Sequence, residues 1–571
     1  MERYEFSSDR RGFPRIVGTF PVEIKFRDVT SHKLLSCKGK TVNISEDGMF
    51  VKVDSSILLP PFVNIRVGLP PSYSPKQIRA RVVWSKPFLE EGKFYWGFRF
   101  LKLPYNLKAL LCKYLDNTLK INRNSSERRR IDRRANIKEV MKQISNAEAT
   151  LEKIERVMQD RAVITGIGAV TPYGVGKEVF WDALIDKKIG IRRLGKLYGS
   201  HSVSKIAGEV KKFDPTHYGI PQDIVKQTSR ATQFALIAAK LALEDAKINT
   251  ENEIREKMGI ILGTASFPSE TSEKVHREFL CKGIKGILST DLLALLPSSS
   301  TGWVATLLGL KGKSETVLGG CTGGIQALGN AYHVVRRGEN NIVLAGATDT
   351  PLSPFALGLM YKASLLARSG NPSSAARPFD SNRNGEVPAE GCTVVVLESW
   401  KHAQRRKPPK IYCEICGYSN TTDGWDVGDS DPSGVGLARA ILQALEMAKI
   451  SPKDVELVVA HASGFPKNDA AEIQALKRIF IRNKKLPPVI SVKGLTGQPL
   501  SVGGLFQLLA AIFAMDSGII PGTYNCDQPD SEDPFDHIIK GNRKVAVENA
   551  VINSYGYGGC NAVIVIKKRI G

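Results

Sequence analysis

Four short segments of this chain are apolar almost without interruption: RAVITGIGAVTP from Arg161, KMGIILGTA from Lys257, NNIVLAGATD from Asn340 and GCTVVVLES from Gly391. A strand with one wet face alternates apolar and polar residues, whereas a continuously apolar strand needs cover on both faces. Segments of helical period, such as ATQFALIAAKLALEDA, lie between them and can supply that cover. From about Lys410 the same alternation runs a second time. Residues 161–571 therefore read as a duplicated α/β architecture, with halves at 161–410 and 411–571.

The preceding residues obey a different period. FPVEIKF, KGKTVNIS, GMFVKV, VNIRVGL, IRARVVW and FYWGFRF alternate apolar and polar positions between turn residues, which predicts a small β-barrel or sandwich. Leu107, Leu110, Leu111 and Leu115 then fall on one side of a closing helix, completing a domain over 1–120. A linker over 121–160 opens with the basic SSERRRIDRR. It continues as heptads, with Ile137, Ile144, Leu151 and Met158 at one position and Val140, Ala147 and Ile154 three residues on. That pattern fits a coiled-coil seam or a helix packed on the next domain.

Met1–Gly12 is charged and polar, unlike a secretory leader. The run Leu505–Met515 is broken by Gln507 and too short for a bilayer, so no membrane span is expected. Nine cysteines without a repeating spacing suit a reducing, cytoplasmic compartment. The pair Cys413 and Cys416 stands alone in a strand-like segment, and no metal site is expected. His333 reads as a packed or surface residue.

Candidate chemistry gathers at three strand ends. In SETVLGGCTGGIQALG a β run enters the turn Gly319-Gly320 and delivers Cys321 to the start of a helix. The positive end of the helix dipole should lower the thiol's pKa there. VELVVAHASG puts His461 after a second strand, and PPVISVKGLTG puts Lys493 after a third. Polar residues at the carboxyl ends of buried strands are where α/β sites assemble.

With ITGIGAVTPYG, ARPFDSNRNGEVPAEG and the terminal NSYGYGGCN, these segments make 161–571 resemble the β-ketoacyl-[acyl carrier protein] synthases of the thiolase fold. The resemblance implies a five-layered α-β-α-β-α fold and a dimer, with itself or with another ketosynthase. It implies acyl transfer to Cys321 and decarboxylative condensation with malonyl-acyl carrier protein, in fatty-acid, polyene or polyketide-like synthesis. His461 would promote decarboxylation, Lys493 would keep the field positive, and backbone N–H groups of Cys321 and Tyr557 would form the oxyanion hole. Tyr555 and Tyr557 would border the acyl channel. No bound cofactor is implied; phosphopantetheine arrives on the acyl carrier protein. That carrier is acidic, which suits a net charge of +23 better than a specific nucleic acid does.

The chain departs from the family at several positions. Gln498 stands where a second histidine is usual, and Gln507 replaces the glutamate that pairs the lysine. Tyr555 and Tyr557 replace phenylalanines, and Ala462 follows His461 in place of glycine. Gln498 can donate a hydrogen bond but cannot carry a proton as histidine does. The alternative reading is a non-elongating, chain-length-factor-like regulatory partner of another ketosynthase.

The N-terminal domain resembles PilZ, a cyclic di-GMP receptor. Arg10, Arg11 and Arg15 form its arginine motif, and Asn43, Ser45 and Gly48 its second, turn motif. Arginine forks suit guanine edges and phosphates. The resemblance implies cyclic di-GMP as an effector of the synthase.

Overall fold

In the computed structural model, eight strands between Phe6 and Phe100 are described as backbone. Residues 161–195, 204–250, 255–265, 268–481, 486–539 and 541–569 are described with side chains. The chain divides into two compact units, Met1–Lys142 and Gln143–Gly571.

In the first unit the strands are β1 (Phe6–Ser8), β2 (Pro14–Val17), β3 (Pro21–Arg27), β4 (Leu34–Ile44), β5 (Gly48–Val53), β6 (Phe62–Val67), β7 (Lys76–Phe88) and β8 (Lys93–Phe100). Neighbours run β4-β3-β6-β7-β8-β5, and β5 pairs back onto β4, so these six strands close on themselves. Closure leaves no open edge within the ring. β2 adds to β4 where Val17 faces Asn43, and β1 adds to β2. Arg15 lies on β2, Asn43 on β4, and Gly48 opens β5. Arg10, Arg11, Ser45, the expected helix at 104–120 and the whole linker 121–160 fall outside the described residues.

The second unit repeats one topology twice. Its first half holds β9 (Ala162–Thr171), β10 (Met258–Thr264), β11 (Ser314–Leu318), β12 (Ile342–Asp349) and β13 (Gly391–Ser399). Its second holds β14 (Cys413–Thr422), β15 (Leu457–Val459), β16 (Val489–Ile490), β17 (Asn549–Gly556) and β18 (Cys560–Lys567). The spatial orders are β11-β10-β12-β13-β9 and β16-β15-β17-β18-β14, which is third, second, fourth, fifth, first in both halves. The first three neighbours are parallel and the last two pairings antiparallel in each. The halves join where Ala162–Ile164 of β9 pairs with Cys413–Ile415 of β14.

The three largest hydrophobic cores among the described residues make five layers of this. Helix α1 (Arg230–Ala246) packs on one face of the first half, where Ile342 and Leu344 of β12 meet Phe234 and Ala238. The intervening Val343 and Ala345 point the other way, into a central core with α2 (Gly323–Arg336). Helices α3 (Val435–Ala448) and α4 (Pro466–Phe480) cover the outer face of the second half. Helix α5 (Gly503–Ser517) shares the central core with α2. The apolar stretch is longer than Leu505–Met515: with the turn before it, it covers Leu500–Ser517, and 83% of it is buried in the fold. A helix lying between two sheets has no wet side, which accounts for its composition.

Candidate active site

The two halves bring equivalent strand ends together. β11 ends at Gly319-Gly320, and Gly320 has φ +54°, a left-handed conformation that glycine adopts without steric cost. A single tight turn, Gly320–Thr322, carries Cys321 and leads into α2. Ile325, Leu328 and Val335 of that helix are fully buried, as their spacing predicts. Ser554 Oγ donates to the Cys321 carbonyl at 2.9 Å, tying β17 to the nucleophile turn. The Gly556 backbone is so close that a Cβ there would lie 3.1 Å from the Cys321 Cβ.

His461 follows β15, and its backbone N–H and that of Ala462 both donate to the Glu472 carboxylate of α4, each at 2.8 Å. Lys493 follows β16. Its ammonium donates to the His461 carbonyl and lies 3.1 Å from His461 Nδ1. Gln498 is held by its backbone, N–H to Val387 O at 2.7 Å and C=O from Ala389 N at 3.0 Å. Its amide nitrogen sits 3.7 Å from Cys321 Sγ and 3.3 Å from His461 Nε2. Cys321, His461, Lys493 and Gln498 thus form one contiguous buried set. Tyr555 is buried with its ring centroid 4.5 Å from that of His461, while Tyr557 is 47% exposed. His333 is half-buried beside the rings of Tyr332 and Tyr418, packed as expected.

Burial governs the proton affinities. It pushes the Cys321 thiol up to about 12, with the Glu386 charge adding to the rise and the Lys493 charge opposing it. The helix-start expectation of a lowered pKa is corrected here, because desolvation of a thiolate outweighs the favourable charges. Burial, then the Lys493 charge, holds His461 well below the usual histidine range, so its imidazole is neutral. Burial brings Lys493 down to about 8, with Glu472 the largest opposing charge. At neutral pH Lys493 therefore remains mostly an ammonium.

These states fix the direction of the hydrogen bonds. An ammonium only donates, so His461 Nδ1 accepts from Lys493 and the ring proton sits on Nε2. With its nitrogen toward His461, the Gln498 amide leaves Oε1 buried and without a partner. A half-turn of the amide would exchange the two atoms, turning two facing donors into a hydrogen bond while placing the amide nitrogen in the unpartnered position. In that orientation Gln498 Oε1 would accept from His461 Nε2–H and face the Cys321 thiol. A donating imidazole aimed at the nucleophile can stabilise an oxyanion formed on a thioester bound there.

Lys493 also has a different environment from the one its neighbours in sequence suggest. Gln507 makes its hydrogen bonds elsewhere; its amide donates to Val459 O at 2.8 Å and Asn553 O at 2.9 Å. The compensating charge comes from Glu472, which the motif reading missed. A signal was present: on α4, Asp469, Glu472, Ile473 and Leu476 share one buried face, so two acids stand where the period calls for apolar residues. Glu386, buried and bonded to Ser463 at 2.6 Å, was missed as well.

Residues 159–403 match the beta-ketoacyl synthase N-terminal domain, residues 412–527 the C-terminal domain, and residues 9–117 the PilZ domain. The 3-oxoacyl-[acyl-carrier-protein] synthase 2 of Staphylococcus aureus is 32% identical over 409 residues, covering 72% of this chain and 98% of the relative. Two solved structures superpose on 72% of this chain and all of their own, each with a TM-score of 0.67. One, 29% identical, is a type II PKS acyl-carrier protein in complex with its ketosynthase, AntDE:AntF. The other, 25% identical, is the ishigamide ketosynthase/chain length factor. With its buried Cys-His-Lys set at equivalent ends of a duplicated thiolase-type fold, the chain belongs to the β-ketoacyl synthase family and carries a PilZ domain ahead of the synthase.

Proposed function

We propose that the chain accepts an acyl group on Cys321 from a carrier-bound phosphopantetheine thioester and condenses it with malonyl-acyl carrier protein. The Cys321 sulfur bonds to the acyl carbonyl, the carrier C–S bond breaks, and the thiol proton ends on the departing carrier thiol. Malonyl decarboxylation then supplies the carbon nucleophile, and His461 Nε2–H stabilises the charge that builds on the thioester oxygen. The observation that carries this reading is the placement of one amide, Gln498, between Cys321 Sγ and His461 Nε2. The product belongs to fatty-acid or polyketide-like synthesis, in keeping with the relatives. A soluble, dimeric enzyme is part of the reading. β11 is an edge strand with Leu318 exposed, and Leu280, Ile284, Leu288 and Leu292 leave an apolar surface for a second synthase to cover. Cyclic di-GMP, read by Arg10, Arg11, Arg15, Asn43, Ser45 and Gly48, would modulate the reaction.

A second reading is favoured by Gln498 itself. A pair in which another ketosynthase elongates and this chain regulates needs no second histidine here. Intact-protein mass spectrometry after exposure to an acyl-carrier thioester separates nucleophile from bystander. One acyl adduct is expected, absent in Cys321→Ala; an adduct on Cys281, Cys392 or Cys560 would overturn the assignment.

A further inference from the structure

Asp349, the last residue of β12, is 2% exposed and takes no part in the acyl chemistry. Its carboxylate gathers four donors from two directions. Thr264 Oγ1 at 2.8 Å and the Ala265 N–H at 3.0 Å reach one oxygen from the end of β10. The Ser501 N–H at 2.9 Å and the Ser501 hydroxyl reach the other. Ser501 belongs to the second half of the fold, in the turn Leu500–Val502 that leads into α5. One carboxylate thus ties two strand ends of the first half to that turn. A buried carboxylate is costly unless its oxygens are bonded, and four donors offset that cost.

The turn it holds is strained and lies against the site. Leu500 has φ +50°, a left-handed conformation that a residue with a Cβ adopts only at a cost. Two residues before it, Gln498 lies between Cys321 Sγ and His461 Nε2. Three residues after it, a Cβ on Gly503 would lie 3.0 Å from the Gln498 side chain and 3.2 Å from Lys493 Cε. Ser501 itself is wedged on α2, the helix that follows the nucleophile. A Cβ on Gly323 would meet Ser501 Cβ at 3.2 Å, and one on Gly324 would meet Ser501 O at 2.3 Å. Strain of this kind persists only where the surroundings hold it. With Ser501 released, Leu500 would relax to a negative φ and carry Gln498 with it.

We propose that Asp349 is a positioning residue, a strut between the two halves that keeps the left-handed turn at Leu500 and so presents Gln498 to Cys321 and His461. This rests on Cys321 being the acyl acceptor. Asp349 makes no bond to substrate and exchanges no proton with it; its part is to accept four hydrogen bonds at once. An amide cannot replace it. Its nitrogen would face the N–H of either Ala265 or Ser501, two donors with no acceptor between them. One side of the strut would then open.

The test is the rate at which an acyl-carrier thioester acylates Cys321 in the full-length protein, read by adduct mass. Asp349→Asn should slow it about tenfold, the scale of a small displacement beside a reacting atom, while the protein still melts cooperatively. Gln498→Ala should show a similar loss, and adding Asp349→Asn to it should cost less than about twofold more, because the positioned side chain is already gone. Adding Leu500→Gly to Asp349→Asn should bring the rate back to within about threefold of wild type, since glycine takes a positive φ without strain. A general loss of stability would not be repaired by a more flexible residue. A wild-type rate in Asp349→Asn overturns the proposal, as does a defect that Leu500→Gly leaves untouched or that multiplies in full with Gln498→Ala. If Asp349→Asn does not fold, Ser501→Ala removes one of the four bonds and should give a smaller loss, again repaired by Leu500→Gly; a wild-type rate there overturns the proposal equally. Hydrogen exchange of the Gln498–Val502 amides separates this from the acyl-acceptor reading. Exchange that is faster in Asp349→Asn, with no adduct on wild-type Cys321, would sink that reading and leave the strut standing. Unchanged exchange would overturn the strut.

Discussion

Glu472 holds His461 by the backbone: both N–H groups at the turn after β15, those of His461 and Ala462, end on its two carboxylate oxygens at 2.8 Å. The same carboxylate accepts from Asn553 Nδ2 on β17 and is a charge that keeps Lys493 protonated. One acid thereby joins α4, β15 and β17 around the imidazole. Such a group is costly to bury alone and stable only when its oxygens are fully satisfied.

Removing that acid should therefore disturb chemistry more than fold. Glu472→Gln leaves one oxygen for two backbone donors and should cost about 1–3 kcal/mol of stability. Burial raises the Glu472 carboxyl to about 7. A raised acid binds its proton more tightly folded than unfolded, so its stabilising contribution is complete at low pH and is lost as pH climbs through about 7. The variant should thus show a shallower fall of Tm between pH 5 and 7, by up to one proton. A slope equal to wild type would mean that Glu472 does not titrate in that window.

Gly556 tests the fit around the nucleophile. Its φ is extended and open to any residue, so only space constrains it. An alanine methyl would meet Cys321 Cβ at 3.1 Å, its N at 3.4 Å and its Sγ at 3.6 Å. Shifts of this size at a reacting atom are expensive in rate and modest in stability. Gly556→Ala should slow Cys321 acylation at least tenfold, read by adduct mass, with Tm lowered by only a few degrees. Acylation at the wild-type rate would show that the turn yields without consequence.

The fold was largely legible because its strands announce their burial: β9, β10, β12 and β13 are buried along their whole length, matching their unbroken apolar sequences. β15 and β16, three and two residues long, were found only through the polar residues that follow them. Cys321, His461 and Lys493 stood out because each follows an apolar run. Glu386 and Glu472 did not, since one lies in an irregular segment and the other mid-helix; their role comes from long-range folding. The Cys321 thiol misled for a related reason: its helix start is local and visible, whereas the burial that raises its pKa is tertiary.

The PilZ domain supplies an independent prediction. Cyclic di-GMP should bind the full-length chain saturably, measured by calorimetry, and Arg15→Ala should weaken it at least tenfold. Each charged hydrogen bond lost with a guanidinium is worth about 1.5–3 kcal/mol. Undiminished binding in Arg15→Ala would place the nucleotide elsewhere, and no heat at high micromolar ligand would leave the domain without this effector.

The sharpest prediction concerns Gln498. Acyl transfer to Cys321 needs the thiol and a donor for one oxyanion, and both are present. Decarboxylation is more demanding, because negative charge must accumulate on the malonyl thioester oxygen before any new bond forms. A neutral amide stabilises that charge less well than a second, well-placed imidazole. With its amide turned so that the oxygen accepts from His461 Nε2–H, Gln498 must let go before His461 can donate to substrate. Wild type should accordingly acylate normally and decarboxylate malonyl-acyl carrier protein slowly. Gln498→His should leave acylation within a few-fold and raise decarboxylation by about tenfold or more, since losing a single oxyanion donor elsewhere costs about 100-fold or more. The measurement follows acyl-enzyme, CO2 release and ketoacyl product in wild type, Gln498→His and Cys321→Ala side by side. Product from wild type alone would establish a self-sufficient synthase. No product until a second ketosynthase is added, with Gln498→His inert as well, would identify this chain as the regulatory member of a pair.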